Sequence, residues 1–185
     1  MHQVQTLTAS SSELEVKLVA LQRLARQVFE PQTPEAEYEK SPPISAQLQL
    51  DNWKQRLCSD NAAIFYVTAE SSLAPPQPGD SQTAPLQAFF FVHPRPLSKS
   101  QETLHVYLAA VHPSARGQGI FSVLLDETKK RAKGAGFQVL TVSTIPARFP
   151  RMYEILSKPG SGWNAVEWAD LEDGGRKVIM KMVVD

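Results

Sequence analysis

The sequence predicts one α/β domain of the α+β kind, with a mixed, largely antiparallel central sheet of six to seven strands flanked by four helices. Three observations predict it. Segments rich in β-branched and aromatic residues alternate with segments whose apolar residues recur at helical spacing. A strand–helix–strand unit in the middle of the chain implies a parallel pair with a right-handed crossover, and the strands before it can pair antiparallel. A length of 185 residues with 42% hydrophobic content supplies one ordinary core, so residues 1–185 read as a single domain.

Each element has a local reason. Gln3 to Thr8 alternates polar and apolar residues, as a short strand does. Ser10, Ser11 and Ser12 offer N-caps, and Glu13 and Glu15 suit the first turn of a helix whose apolar face is Leu14, Leu18, Leu21, Leu24 and Val28. Pro31 ends that helix, and residues 31–43, rich in Pro and Glu, read as a loop. A second helix is expected from about Ile44 to Leu57. Ala62 to Ala69 is β-branched and aromatic, hence a strand. Residues 71–85, rich in Pro, Ser and Gly, read as a long connection. Leu86 to Val92 is a strand that Pro94 and Pro96 should break, and Thr103 to Val111 is the next. Gly119 to Lys133 carries Ile120, Val123, Leu124 and Ala132 on one face and is closed by Gly134 and Gly136, so it reads as an amphipathic helix. A short strand at Val139 to Ser143 and a short helix at Arg148 to Lys158 follow, then strands at Trp163 to Trp168 and Lys177 to Val184.

Composition narrows the function. Lys plus Arg and Asp plus Glu are 19 each, so the basic excess of a general nucleic-acid footprint is missing and no nucleic-acid partner is expected. No apolar run approaches the ~20 residues that cross a bilayer, so no membrane partner is expected either. Met1 to Ser12 lacks the apolar stretch of a signal peptide. Cys58 is the single cysteine, which excludes an intrachain disulfide and a zinc site built from cysteines, and it reads as a half-buried structural thiol. The expectation is a protein of a reducing, cytoplasmic compartment, monomeric or homodimeric, with no metal.

The most informative stretch is Leu108 to Leu125, LAAVHPSARGQGIFSVLL. A strand ends at Val111, Pro113 starts a turn, and Arg116-Gly117-Gln118-Gly119 opens directly into a helix. Unpaired N–H groups and the helix dipole make such a start a seat for phosphate. Glycine lets backbone approach a ligand, and Arg116 can add positive charge. Three ligand readings compete with a plain structural turn. The P-loop pattern G-x-x-x-x-G-K-[ST] is absent. The dinucleotide pattern G-x-G-x-x-G is met at Gly117 and Gly119, but Ser122 holds the third position. The third pattern, Gln/Arg-x-x-Gly-x-Gly/Ala, is met at Arg116 and Gly119.

Val106 to Leu125, with its "AAV" before His112-Pro113, resembles the core motif of the GNAT superfamily of N-acetyltransferases. The element order is similar to that family's across nearly the whole chain. Arg151-Met152-Tyr153-Glu154-Ile155-Leu156 followed by Gly162-Trp163 resembles its helix-then-strand segment. The resemblance implies acetyl-CoA as cofactor and an amine as acceptor, either a small or amino-acid-like molecule or a protein N-terminus. A CoA-binding module without catalysis is the reading from another class.

Residue by residue, the resemblance implies that the strand before the loop splays from its neighbour, with the backbone of Ala109, Ala110 and Val111 pairing with the pantetheine arm. Arg116, Gly117, Gln118, Gly119, Ile120 and Phe121 would hold the pyrophosphate. Phe121 stands where a small residue is usual, so its ring must turn into the core, and Pro146 replaces an Asn contact. Tyr153 matches the tyrosine that donates a proton to the departing CoA sulfur. Strict alternation puts His105 and Tyr107 on the strand face of Ala109, which makes His105 a candidate base; proton loss through water, with no dedicated base, is the first expectation. Tyr38, Trp53, Trp163 and Trp168 are candidates to line the acceptor site, with a place in the core as the more ordinary role of each.

Overall fold

The computed structural model describes residues 2–29, 46–69, 84–98 and 101–184. Tyr38, Ile44 and most of the two expected connections, 31–43 and 71–85, lie outside the described residues. Among the described residues seven strands form one sheet, and four α-helices cover it: β1 Val4–Leu7, α1 Leu14–Phe29, α2 Ala46–Leu57, β2 Ala63–Thr68, β3 Leu86–Ser98, β4 Gln101–Val111, α3 Ile120–Gly134, β5 Val139–Thr144, α4 Pro150–Ser157, β6 Asn164–Asp170 and β7 Arg176–Val183. The sheet order is β1-β2-β3-β4-β5-β7-β6. Only β4 and β5 run parallel, joined by the α3 crossover, and every other neighbour is antiparallel.

Two cores sit on the two faces of the sheet. Leu18, Leu21 and Leu24 of α1 and Trp53 of α2 pack with Ile64, Phe89 and Phe91 on one face. Ile120 and Leu124 of α3 and Leu156 of α4 pack with Phe65, Phe90 and Leu140 on the other. Strands covered on both faces must be apolar throughout, which is why β3 reads AFFFV without alternation.

Three local expectations need correction. Pro94 and Pro96 do not break β3, which continues to Ser98 and pairs Pro94 with Leu104 and Pro96 with Glu102. Pairing with β2 stops at Val92, so β3 is an edge from there on, and an edge tolerates a missing N–H. Cys58 is exposed, because α2 ends at the buried Leu57 and the thiol falls beyond its last turn. The third concerns β4. Phe91 faces Leu108, but Val92 faces Val106, so Tyr107 is an extra residue in the ladder. This bulge reverses the alternation. Leu104 and Val106 share the α3/α4 face with Ala109 and Val111, whereas Tyr107 falls with Leu108 and Ala110 on the α1/α2 face. His105, between Leu104 and Val106, is therefore on the face opposite Ala109, not on its side.

Candidate active site

β4 and β5 pair only at Leu104↔Leu140, His105↔Thr141 and Val106↔Val142. The bulge at Tyr107 comes immediately after the last pair, and from there the two strands part. Ala109, Ala110 and Val111 keep their β3 partners Phe90, Phe89 and Ala88, so the edge they turn toward β5 is left without a strand. The next two residues of β5 carry hydroxyls, and Ser143 Oγ and Thr144 Oγ1 are buried with no hydrogen-bond partner among the described residues. Buried polar atoms are rarely left so unless a ligand or water completes them.

A cavity of about 570 Å³ opens at this parting. Its walls come from Ala109 and Val111 of β4, Gly117 and Gly119 of the loop, Ile120 and Phe121 of α3, and the stretch from Phe149 to Met152 that begins α4. The volume is that of a site for one small-molecule ligand. Phe29 at the end of α1 meets Phe149 edge to face at 5.8 Å between ring centres, and the two rings close one side.

The loop is braced from within. Ser114 N donates to His112 Nδ1 at 3.3 Å, starting a short 3₁₀ turn at Pro113–Ala115. Gln118 Nε2 donates back to the Ser114 carbonyl at 3.0 Å, and Arg116 Nε to that of Val111 at 3.4 Å. Gly117 and Gly119 have φ of +78° and +75°, the left-handed region that an L residue enters at a cost of about 1–2 kcal/mol. Gly119 is the N-cap of α3 and offers no side chain to its first N–H groups. A Cβ built at Gly119 would meet no atom within 4 Å, so the protein leaves that space open in front of those donors. The free donors, the open volume and the unpaired strand edge all fit a pyrophosphate followed by an amide-bearing arm.

Phe121 packs its ring edge to face on Phe90, 5.0 Å between centres, so its side chain joins the core while its backbone stays in the loop wall. Tyr153 lies on α4, one residue past Met152 of the cavity wall, with its ring half-buried against Trp168 at 6.1 Å. Tyr153 is not itself among the lining residues. Trp53 and Trp163 are core residues, 1% and 8% exposed. Trp168 is exposed on β6 and is covered in part by the Arg176 guanidinium at 5.0 Å.

His105 is held in a ring of four side-chain bonds. Its Nε2 lies 3.5 Å from Arg95 Nη1, which can only donate, so Nε2 accepts and Nδ1 carries the proton. Nδ1 then donates to Thr141 Oγ1 at 2.9 Å, Thr141 to Thr103 Oγ1 at 2.9 Å, and Thr103 to the Arg95 carbonyl at 3.0 Å. Burial, and then the nearby Arg95 charge, push its pKa down to about 3. His105 is thus neutral with both nitrogens engaged. Sequence reasoning singled out the histidine and missed this ring, because no local pattern ties Arg95 and Thr103 to Thr141. It also missed the Ser143 and Thr144 hydroxyls. Their only signal is polarity at the end of an apolar strand.

Known proteins share the family and the fold. The family model described as "Acetyltransferase (GNAT) family" matches residues 26–154. No curated protein matches the chain. Among solved structures, a candidate GNAT-family acetyltransferase from Desulfovibrio desulfuricans superposes with a TM-score of 0.62 at 17% identity, over 99% of this chain and 100% of that one. The ribosomal-protein-S18-alanine N-acetyltransferase of Escherichia coli gives 0.57 at 17% identity, over 100% and 95%. The NatC complex bound to Gag peptide and CoA gives 0.62 at 12% identity, over 100% and 99%. At these identities the structures support the fold alone, while the family model covers well over half of the chain. The chain belongs to the GNAT family of acetyltransferases and is an acetyl-CoA-dependent N-acetyltransferase.

Proposed function

We propose that the enzyme acetylates the amine of a small or amino-acid-like acceptor, which attacks directly while both substrates are bound. The observation that carries the reading is the unpaired edge of β4 beyond Val106, set beside the open donors of the Gly119 turn. Acetyl-CoA supplies the acyl group as an activated thioester. Backbone N–H groups from Gly117 to Phe121 hold its pyrophosphate, and the exposed edge of Ala109 to Val111 orients the arm. Orientation of this kind is worth several kcal/mol of barrier.

The remaining tasks are proton transfers. Tyr153, on the helix that forms one wall of the cavity, gives its phenolic proton to the departing sulfur. The acceptor ammonium loses one proton to water before it attacks, and the second N–H proton, released as the amide forms, restores the Tyr153 phenol. His105 is a weak candidate for that step, since a base with a pKa of about 3 and no free nitrogen takes few protons near neutrality. We give it a positioning role, holding β4 to β5 below the parting. The reading keeps the reaction in the cytoplasm, with the enzyme a monomer or homodimer.

A protein N-terminus is the second acceptor to test. Two of the similar structures point to it by their names, though they share little more than fold with this chain. Mass spectrometry of acetyl transfer across free amino acids, polyamines and short peptides tests both. Product from amino acids supports the proposal. Product from peptides alone replaces it with the second reading.

A further inference from the structure

We propose that Arg56 binds a carboxylate of the acceptor, so that the substrate class is amino acids or other carboxylate-bearing amines. The inference rests on the acetyl-transfer reading above and adds the chemical class of the acceptor.

Arg56 lies in the last turn of α2, and its guanidinium carbon stands 4.2 Å from the centre of the Tyr107 ring. Tyr107 is the bulge residue, the first of β4 beyond the last pair with β5. The cation is therefore fixed at the base of the parting. It is on the α1/α2 face, opposite the helix whose start forms the phosphate seat. A cofactor that fills the parting from the α3 side leaves this face for the acceptor.

The surroundings of Arg56 are built of neutral groups. A pocket of about 310 Å³ is lined by Asn52, Gln55, Arg56, Ser59 and His93. No ion pair among the described residues involves Arg56. Its hydrogen-bond partner is His93 Nε2, 3.4 Å from Nη1. His93 is buried, and its Nδ1 donates to its neighbour's carbonyl, that of Pro94, at 2.8 Å, so Nε2 is a neutral acceptor. Burial lowers the His93 pKa, and the Arg56 and Arg95 charges lower it further, which keeps the ring neutral. A hydrogen bond and a ring face thus aim the guanidinium, and neither cancels its charge.

A guanidinium has five N–H donors in a planar fork that matches a carboxylate with two parallel bonds. Asn52, Gln55 and Ser59 add neutral donors around it. One cation with neutral donors suits a monoanion.

The test uses inert products as probes. Calorimetry measures binding of N-acetyl-α-amino acids, and of the matching carboxamides, to the CoA-saturated enzyme. The acids should bind about ten- to a hundredfold more tightly, the usual worth of a charged hydrogen bond. In Arg56→Gln the two series should bind alike, with CoA affinity unchanged. In Arg56→Lys part of the preference should remain. Equal binding of acid and amide to the wild type, a preference that survives Arg56→Gln, or no binding of any acid would overturn the proposal. The wild-type comparison decides even where a variant fails to fold. Failure of the wild type to bind CoA would instead remove the acetyl-transfer reading on which the inference rests.

Discussion

Val106 and Val142 are the last residues that β4 and β5 pair, and Tyr107, the next residue of β4, is a bulge. The bulge both turns the ladder over and opens it. Past this point β4 presents a free edge, and Ser143 and Thr144 of β5 carry buried hydroxyls that have no hydrogen-bond partner among the described residues. The proposed cofactor site is a gap in the sheet, so substitutions that act on the gap should affect binding more than folding.

Gly119→Val tests the loop. The backbone cost of a side chain at φ +75° is about 1–2 kcal/mol, and the added carbons enter space that the protein leaves empty. The variant should stay folded, with a modestly lower Tm, and lose CoA affinity at least tenfold by calorimetric titration. Unchanged affinity in a folded variant would place the pyrophosphate elsewhere.

Tyr153→Phe keeps the ring against Trp168 and removes the hydroxyl. If the phenol protonates the leaving sulfur, kcat should fall by ~10²–10⁴-fold with little change in Tm or in the KM for acetyl-CoA. A change confined to KM would make Tyr153 a positioning residue.

The His105 ring predicts a pH dependence of stability. Its pKa falls from 6.5 to about 3 on folding, so between these values the unfolded chain binds a proton that the folded one does not. The stabilisation is complete above pH 6.5 and is lost as pH falls toward 3, at up to about 1.4 kcal/mol per unit. Urea unfolding at pH 7, 5.5 and 4.5 should show a steeper loss for the wild type than for His105→Asn. The variant keeps a donor and an acceptor but cannot titrate. Equal slopes would mean that His105 is not held neutral.

Much of this was legible in the sequence. The element order followed from periodicity, and the Arg116-Gly117-Gln118-Gly119 turn followed from glycine spacing. The expectation that the Phe121 ring must turn into the core agrees with its packing on Phe90. The bulge at Tyr107 was not legible, because it arises from the register against β3, and strict alternation put His105 on the wrong face. The prolines of β3 misled because a sequence does not show where the β2 neighbour ends. The Arg56 site joins α2 to β3 and β4 across 37 and 51 positions of chain, a span over which no local pattern operates.

One assay tests the central claim most directly. The wild-type enzyme is incubated with acetyl-CoA and a panel of free amino acids, their carboxamides, polyamines and short peptides. Free thiol and N-acetyl product are counted together by absorbance and mass spectrometry. The account predicts one thiol released per acetylated amine, with product from the amino acids. Tight CoA binding without product from any amine would contradict it and leave a binding module in place of an enzyme.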